Sequence, residues 1–170
     1  MKKIFSFLFT VLLSMTVNAA NPLKVNSGSI AFLSTGSTAQ VEFDFSNSTW
    51  EKDETLKQQF EDEYDNLIAV SHSSFVDAFN SSSNKLKFVD NASNPQYKII
   101  FKFDNFQAKV GTLYRKYVRI WGSATVIDLS SNETVCSIQI TKLEGSNDYV
   151  TKEAFWKSFK KMGELLAKMK

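Results

Sequence analysis

The sequence predicts an α+β fold: a two-layer sandwich whose mostly antiparallel sheet of four to six strands carries two or three helices packed on one face. Three observations predict it. The stretch from Gln96 to Leu143 reads as three consecutive strands, each with its own apolar alternation, joined by short polar turns. A segment of helical spacing runs from Thr151 to the C-terminus, and another runs from about Ser48 to Phe79. Strands and helices come in blocks with little strict alternation, which argues against a parallel, doubly wound sheet.

The composition suits one such domain. With 170 residues, 43% of them hydrophobic and 22% charged, the chain is long enough to bury a substantial core. Fifteen phenylalanines are a heavy aromatic load, most of which belongs inside. Only two prolines and six glycines exclude a collagen-like or low-complexity chain.

The first residues read as a targeting segment. Lys2 and Lys3 precede an apolar run from Ile4 to Met15, and Val17-Asn18-Ala19 supplies the small-x-Ala pattern of a signal peptidase site. The run is shorter than the roughly 20 residues that span a bilayer. Residues 1–19 are therefore expected to be removed, with Ala20 as the alternative end, leaving no transmembrane segment. Their loss takes away two lysines and no acid, so the formal charge falls from +2 to zero. A neutral chain argues against a nucleic-acid partner, because phosphate binding needs a basic footprint. Cys136 is the only cysteine, so no internal disulfide can form, and no cysteine follows the apolar run as a lipidation site. These features favour a bacterial export substrate, periplasmic or extracellular.

Residues 20–38 read as a β-like arm, with Leu23–Val25 and Ile30–Leu33 broken by Ser-Gly and Ser-Thr-Gly turns. A single domain is expected over 39–170. Its first strand, Ala39 to Phe45, puts Val41, Phe43 and Phe45 on one face. Ser48-Thr49-Trp50-Glu51 fits a capping box. Leu56, Phe60, Tyr64 and Ile68, then Leu67, Ser71, Phe75 and Phe79, form an apolar stripe, read as two helices with a break near Asp65-Asn66. Leu86–Val89 is a short strand. In the central strands the inward sets are Tyr97, Ile99, Phe101 and Phe103; Val118, Ile120, Ala124 and Val126; and Cys136, Ile138 and Ile140. A one-residue slip would expose all of them. Gly122 allows a close approach. The last helix carries Phe155, Phe159, Met162, Leu166 and Met169 on one stripe, with Thr151 as its expected N-cap.

The order of a helix (Phe75–Phe79), the strand Leu86-Lys-Phe-Val-Asp90, a strand opening Gln96-Tyr-Lys-Ile-Ile100 and a hairpin around Val126-x-Asp128…Val135, with Gly145 and a helix after it, resembles small periplasmic domains of envelope-assembly proteins. These include the periplasmic domain of curli secretion channels, the amino-terminal domain of the Tol-Pal translocation protein and lipoprotein activators of penicillin-binding proteins. The chain is also similar to small exported proteins of Bacteroides-type bacteria. The resemblance covers roughly residues 39–170, lacks the lipid-anchor cysteine and has a longer segment before Leu86. It implies an adaptor or assembly role without catalysis.

No constellation amounts to a catalytic, metal, cofactor or nucleotide motif. His72, the sole histidine, sits among serines that a helix turns away from it, so a hydrolase is the weakest reading. Residues 51–65 hold seven acids against two lysines but lack the spacing and glycine of a calcium loop. The last helix holds six lysines and two glutamates, as a solvated amphipathic face would. The most informative surface is the outer sheet face, where Tyr117, Arg119, Trp121 and Ile127 project from one strand and Lys98, Ile100 and Lys102 from its neighbour. Tyr, Trp and Arg are the residues most enriched at binding hot spots. The expected function is an exported, non-enzymatic module that binds an envelope protein through this face. A glycan or small-ligand module using the same aromatics is the alternative.

Overall fold

In the computed structural model, residues 21–90 and 92–170 are described; the expected targeting segment, residues 1–19, lies outside them. The described chain forms a seven-stranded sheet in the order β1 (Leu23–Gly28), β7 (Glu133–Asn147), β6 (Lys116–Asp128), β5 (Tyr97–Val110), β2 (Thr38–Asp44) and β4 (Lys87–Phe88). The two-residue β3 (Thr49–Trp50) pairs with β5 beyond the end of β2. Three α-helices accompany the sheet: α1 (Leu56–Phe60), α2 (Tyr64–Ser82) and α3 (Thr151–Ala167). There are also three 3-10 segments, so the helical pieces outnumber the two or three expected.

The α+β class holds, but the sheet is mixed rather than mostly antiparallel. Strands β1, β7, β6 and β5 are antiparallel neighbours, whereas β2 runs parallel to both β5 and β4. The reason is the helical segment after β2. The chain crosses over through α2 and returns to the starting end of the sheet, which makes the next strands parallel.

Local expectations meet four further corrections. Ile30–Ser34 is a 3-10 turn, with the Ser29 side chain accepting from the Ala31 N–H, rather than a strand. Ser48-Thr49-Trp50-Glu51 does not start a helix. Trp50 is buried against Phe60 and Phe155 and pairs with Phe106, and the Ser48 hydroxyl donates to the Phe45 carbonyl. The capping box lies at Thr55, whose hydroxyl accepts from the Gln58 N–H at 3.2 Å while Gln58 Oε1 accepts from the Thr55 N–H at 2.9 Å. The break between helices falls at Glu61–Glu63, a few residues before the expected point. Leu23–Gly28, expected as part of an arm, pairs with β7 as a sheet edge.

The inward sets of β5, β6 and β7 are buried as their alternation requires. Bulges at Phe103/Asn105 and Ile120/Gly122 shift the alternation of β5 and β7 by one residue, so Phe106 and Leu143 also face inward. Onto this face α3 lays Phe155, Phe159, Met162 and Leu166, and α2 lays Phe75 and Phe79. The core centres on stacked and edge-on phenylalanines. The ring of Phe159 lies 5.3 Å from Phe43, 5.3 Å from Phe103 and 5.2 Å from Phe155. Each well-placed aromatic pair adds about 0.5–1.5 kcal/mol beyond area burial.

Two glycines set how closely α3 docks. Gly145 in β7 leaves no room for a Cβ against the backbone of Ala154 and Ser158, and Gly163 leaves none against Phe75 of α2. At Gly122 the Lys102 carbonyl fills the same space, the close approach its position suggests. Helix α3 begins at Thr151 but is not capped by it. Asn147 Oδ1 accepts from the N–H groups of Tyr149 and Val150, and Asn147 Nδ2 donates to Glu153 in the first turn.

Candidate binding surface

Helices occupy one face of the sheet, and the other stays partly exposed. On that outer face Tyr117, Arg119 and Trp121 alternate along β6 with the buried Val118 and Ile120. Lys98, Ile100 and Lys102 occupy the same face of β5. The register separates the two groups. Tyr117 lies opposite Lys109, whereas Lys98 lies opposite Ile127, ten residues along β6. At about 3.3 Å per residue that is roughly 33 Å. Lys102, opposite Ser123, is the member of the second group nearest to Trp121.

Cross-strand carboxylates already hold two of the three cations. Arg119 Nε donates to Glu144 Oε2 at 2.8 Å, and Lys98 Nζ lies 2.7 Å from Glu42 Oε2. Both pairs are partly exposed, so each contributes about 1 kcal/mol or less. Between the aromatics and Lys98 the paired outward positions are Asn105 with Trp121, Lys102 with Ser123 and Ile100 with Thr125, so Lys102 is the one cation in that stretch.

Most of the exposed large apolar side chains lie at the end of the sheet where β5 turns into β6. Val110 is 57% exposed, Leu113 89% and Tyr114 75%, and Tyr149, from the loop between β7 and α3, is 74% exposed. Leu113 and Tyr114 both adopt left-handed backbone, with φ of 56° and 61°. The Arg115 N–H donates to the Thr112 carbonyl at 3.3 Å across them. Two consecutive left-handed residues make a primed hairpin turn, which normally takes Asn-Gly because a Cβ is strained there. Strain of about 1–3 kcal/mol per residue is typical of such positions.

The turn is braced to the rest of the sheet. Arg115 Nε donates to Asp148 Oδ1 at 3.0 Å. Its hydrogen bond to the Asp148 carboxylate, and a second with Tyr117, hold the guanidinium above its usual pKa. The Tyr117 ring lies across Gly111, leaving no room for a Cβ. Thr112, Leu113, Arg115, Tyr117, Asp148 and Tyr149 thus surround a hollow of about 380 Å3. Tyr117 is the sequence-predicted member of this surface; Leu113, Tyr114 and Tyr149 escape strand alternation because they lie in connections between elements. The available signal was Leu-Tyr in a turn where Asn-Gly would be ordinary.

The remaining candidates are tied into the structure. The His72 ring packs on Phe43 with centroids 5.5 Å apart, while the Ser71 and Ser73 hydroxyls donate to the Leu67 and Val70 carbonyls. Glu51 Oε1 accepts from the Ala108 N–H, and Glu63 pairs with Lys152 at 2.7 Å. Lys157 pairs with Glu153, and Lys161 donates to the Glu144 carbonyl. Cys136 is buried, and that burial pushes its thiol pKa up. Among the described residues no helix is long and apolar enough to cross a membrane, and no three His, Cys, Asp or Glu side chains gather as a metal site.

No family model matches the sequence, and no curated protein matches it. Among solved structures, the chain is similar to PelC from Paraburkholderia phytofirmans, crystallised as a dodecamer, with a TM-score of 0.49 and 12% identity over 87% of this chain and 98% of that one. It is similar to a Xanthomonas campestris protein of the DUF330 family, with a TM-score of 0.48 and 14% identity over 78% of this chain and 82% of that one. A third likeness is to a Helicobacter pylori protein described as a neuraminyllactose-binding hemagglutinin homologue, with a TM-score of 0.32 and 10% identity over 75% and 76% of the two chains. None of these likenesses assigns a role to a residue of this chain.

Proposed function

We propose that this chain is an exported, non-catalytic binding module that docks on an envelope protein through the hairpin end of its sheet. Leu113, Tyr114, Tyr117 and Tyr149 are the anchors, and Arg119 and Trp121 extend the contact along β6. The observation that carries this reading is the gathering of exposed apolar side chains at the hairpin end of the sheet, where Leu113 and Tyr149 line one hollow with Tyr117. Of the six exposed large hydrophobic residues in the described chain, Val110, Leu113, Tyr114 and Tyr149 are at that end. Contiguous exposed apolar surface marks interaction sites, and tyrosine and arginine dominate hot spots.

The hollow among the anchors favours a protein over a bilayer as the occupant. A pocket walled by Tyr117 and Tyr149 can receive a partner's side chain, whereas a lipid surface calls only for a convex apolar tip. The Arg115–Asp148 clamp and the hydrogen-bonded turn hold the anchors in place beforehand, so less ordering entropy opposes association. Export rests on Lys2, Lys3, the apolar run and Val17-Asn18-Ala19. An adaptor role agrees with the resemblance to envelope-assembly domains.

The test is affinity capture from the cross-linked envelope of the host. A partner recovered with the wild-type chain and lost with a Leu113→Ser/Tyr114→Ser variant supports the reading. Equal recovery with that variant overturns it, and co-sedimentation of the wild type with protein-free vesicles would transfer the tip to a lipid surface.

A further inference from the structure

A second hollow opens on the helical side of the sheet. Helices α2 and α3 lie side by side and run in the same direction, since Lys152 meets Glu63 near their starts and Gly163 meets Phe75 further along. On their solvent side a groove of about 480 Å3 opens between Ser74, Asp77 and Ser81 of α2 and Trp156, Lys160 and Glu164 of α3. The spacing explains the groove. Positions 74, 77 and 81 share one face of α2, and 156, 160 and 164 share one face of α3. Short hydroxyl and carboxylate side chains thus line one wall and long ones the other. The volume falls within the range of small-molecule sites, about 300–1,000 Å3.

Three features of the groove go beyond ordinary helix packing. The Trp156 indole is only partly buried, and it borders both this groove and a neighbouring hollow of about 140 Å3 beside Asn66 and Val70. Asp77, Lys160 and Glu164 form no salt bridge among the described residues, although all three line the same groove. The hydroxyls of Ser74 and Ser81 stand beside them. An aromatic plane, two carboxylate acceptors, an ammonium donor and two hydroxyls are therefore assembled without using one another.

We infer that this groove binds a neutral saccharide, with one sugar ring stacked on Trp156 and its hydroxyls donating to Asp77 and Glu164. The apolar C–H face of a pyranose matches an indole, and its hydroxyls match the carboxylates that the two walls supply. Lys160 and the serines complete the set by donating to ring or hydroxyl oxygens. Within the groove two carboxylates face one lysine, and the neighbouring Lys157 is paired with Glu153, so an anionic sugar is disfavoured. The Lys157 ammonium, 5.5 Å from the Trp156 ring centroid, is a surface side chain that a ligand can displace. This site is separate from the hairpin end and does not depend on the proposed docking function.

The test is calorimetric titration of the purified protein and its variants with maltose, cellobiose and lactose, and with a glucuronate-containing disaccharide, the Trp156 indole N–H signal in NMR locating the site in the wild type. The expected result is saturable binding of at least one neutral probe and weaker binding of the anionic one. Trp156→Ala should weaken it by about tenfold or more, the equivalent of one lost favourable contact of ordinary size. Ser81→Leu, an exposed position, should block the groove while the far-UV spectrum and melting temperature stay unchanged. Asp77→Asn should weaken binding without touching the core, and Trp121→Ala should leave it intact. Failure of all three neutral probes, tighter binding of the anionic probe, or binding lost with Trp121→Ala but retained with Trp156→Ala overturns the inference.

Discussion

The backbone of Gly163 in α3 lies against the carbonyl of Phe75 in α2, with no space for a Cβ between them. The same is true of Gly145 against Ser158. One glycine lets the two helices touch and the other lets α3 touch the sheet, so the position of the whole helical layer depends on two missing methyl groups. The groove beside Trp156 follows from the first of these contacts.

Gly163→Ala is therefore expected to destabilise the protein. Alanine favours a helix over glycine by about 1 kcal/mol, but the added methyl meets backbone that cannot give way as a side chain could. Overpacking costs about 1–3 kcal/mol, and contact with backbone puts this site at the upper end, so a net loss of about 2 kcal/mol is expected. Urea denaturation checks it: the midpoint should fall with little change in slope. An unchanged or higher midpoint would show that the helices can move apart at no cost.

Replacing Leu113-Tyr114 by Asn-Gly should have the opposite effect on stability. The new pair accepts the left-handed backbone that Leu113 and Tyr114 hold under strain, so stability should rise by about 1–3 kcal/mol. If the tip is a docking surface, partner capture should be lost in the same variant. Higher stability with undiminished capture would mean that the exposed leucine and tyrosine do not contact the partner.

Cys136 should be unreactive in the native state. Its sulfur is buried and burial raises the thiol pKa, so little thiolate forms and reagents cannot reach it. Labelling with iodoacetamide should follow the unfolding curve in urea. Rapid labelling without denaturant would show that the edge near β1 opens independently.

Acid should remove two local contributions. Asp44 and Asp128 each accept from the hydroxyl and N–H of the serine two residues on, and these hydrogen bonds hold both carboxyls below the ordinary value of 3.8. A carboxylate with a lowered folded pKa stabilises fully above its unfolded pKa and loses that contribution as pH falls through the folded value. The loss from these two groups should therefore occur below pH 3.8. A Ser46→Ala/Ser130→Ala variant should show a smaller drop in urea midpoint between pH 5 and pH 3 than the wild type, and an equal drop would exclude both groups as contributors.

Several features were legible because they are local. Alternation with a period of two places Tyr97, Ile99, Phe101 and Phe103 inside whichever strand pairs beside them, since the pleat alone decides which side chains share a face. Helical spacing likewise placed Phe75, Phe79, Phe155 and Phe159 toward the sheet. His72 and Cys136 were readable as packed residues from their apolar neighbours.

Tertiary structure decided what depended on distant partners. Ser48-Thr49-Trp50-Glu51 has the local pattern of a capping box, yet burial of Trp50 between Phe60 and Phe155 draws it into a strand and moves the cap to Thr55. The parallel placement of β2 beside β5 depends on the crossover through α2, which no property of either strand encodes. Tyr149 joins Leu113 and Tyr117 only because Arg115 reaches Asp148 across 33 residues of chain. Trp156 faces Asp77 only because Gly163 lets two helices meet. Side-chain alternation and helix spacing are set within a few residues, so the faces could be read from local pattern; contacts across the sheet and between helices arise from packing, which sets which faces meet and where the open surfaces lie.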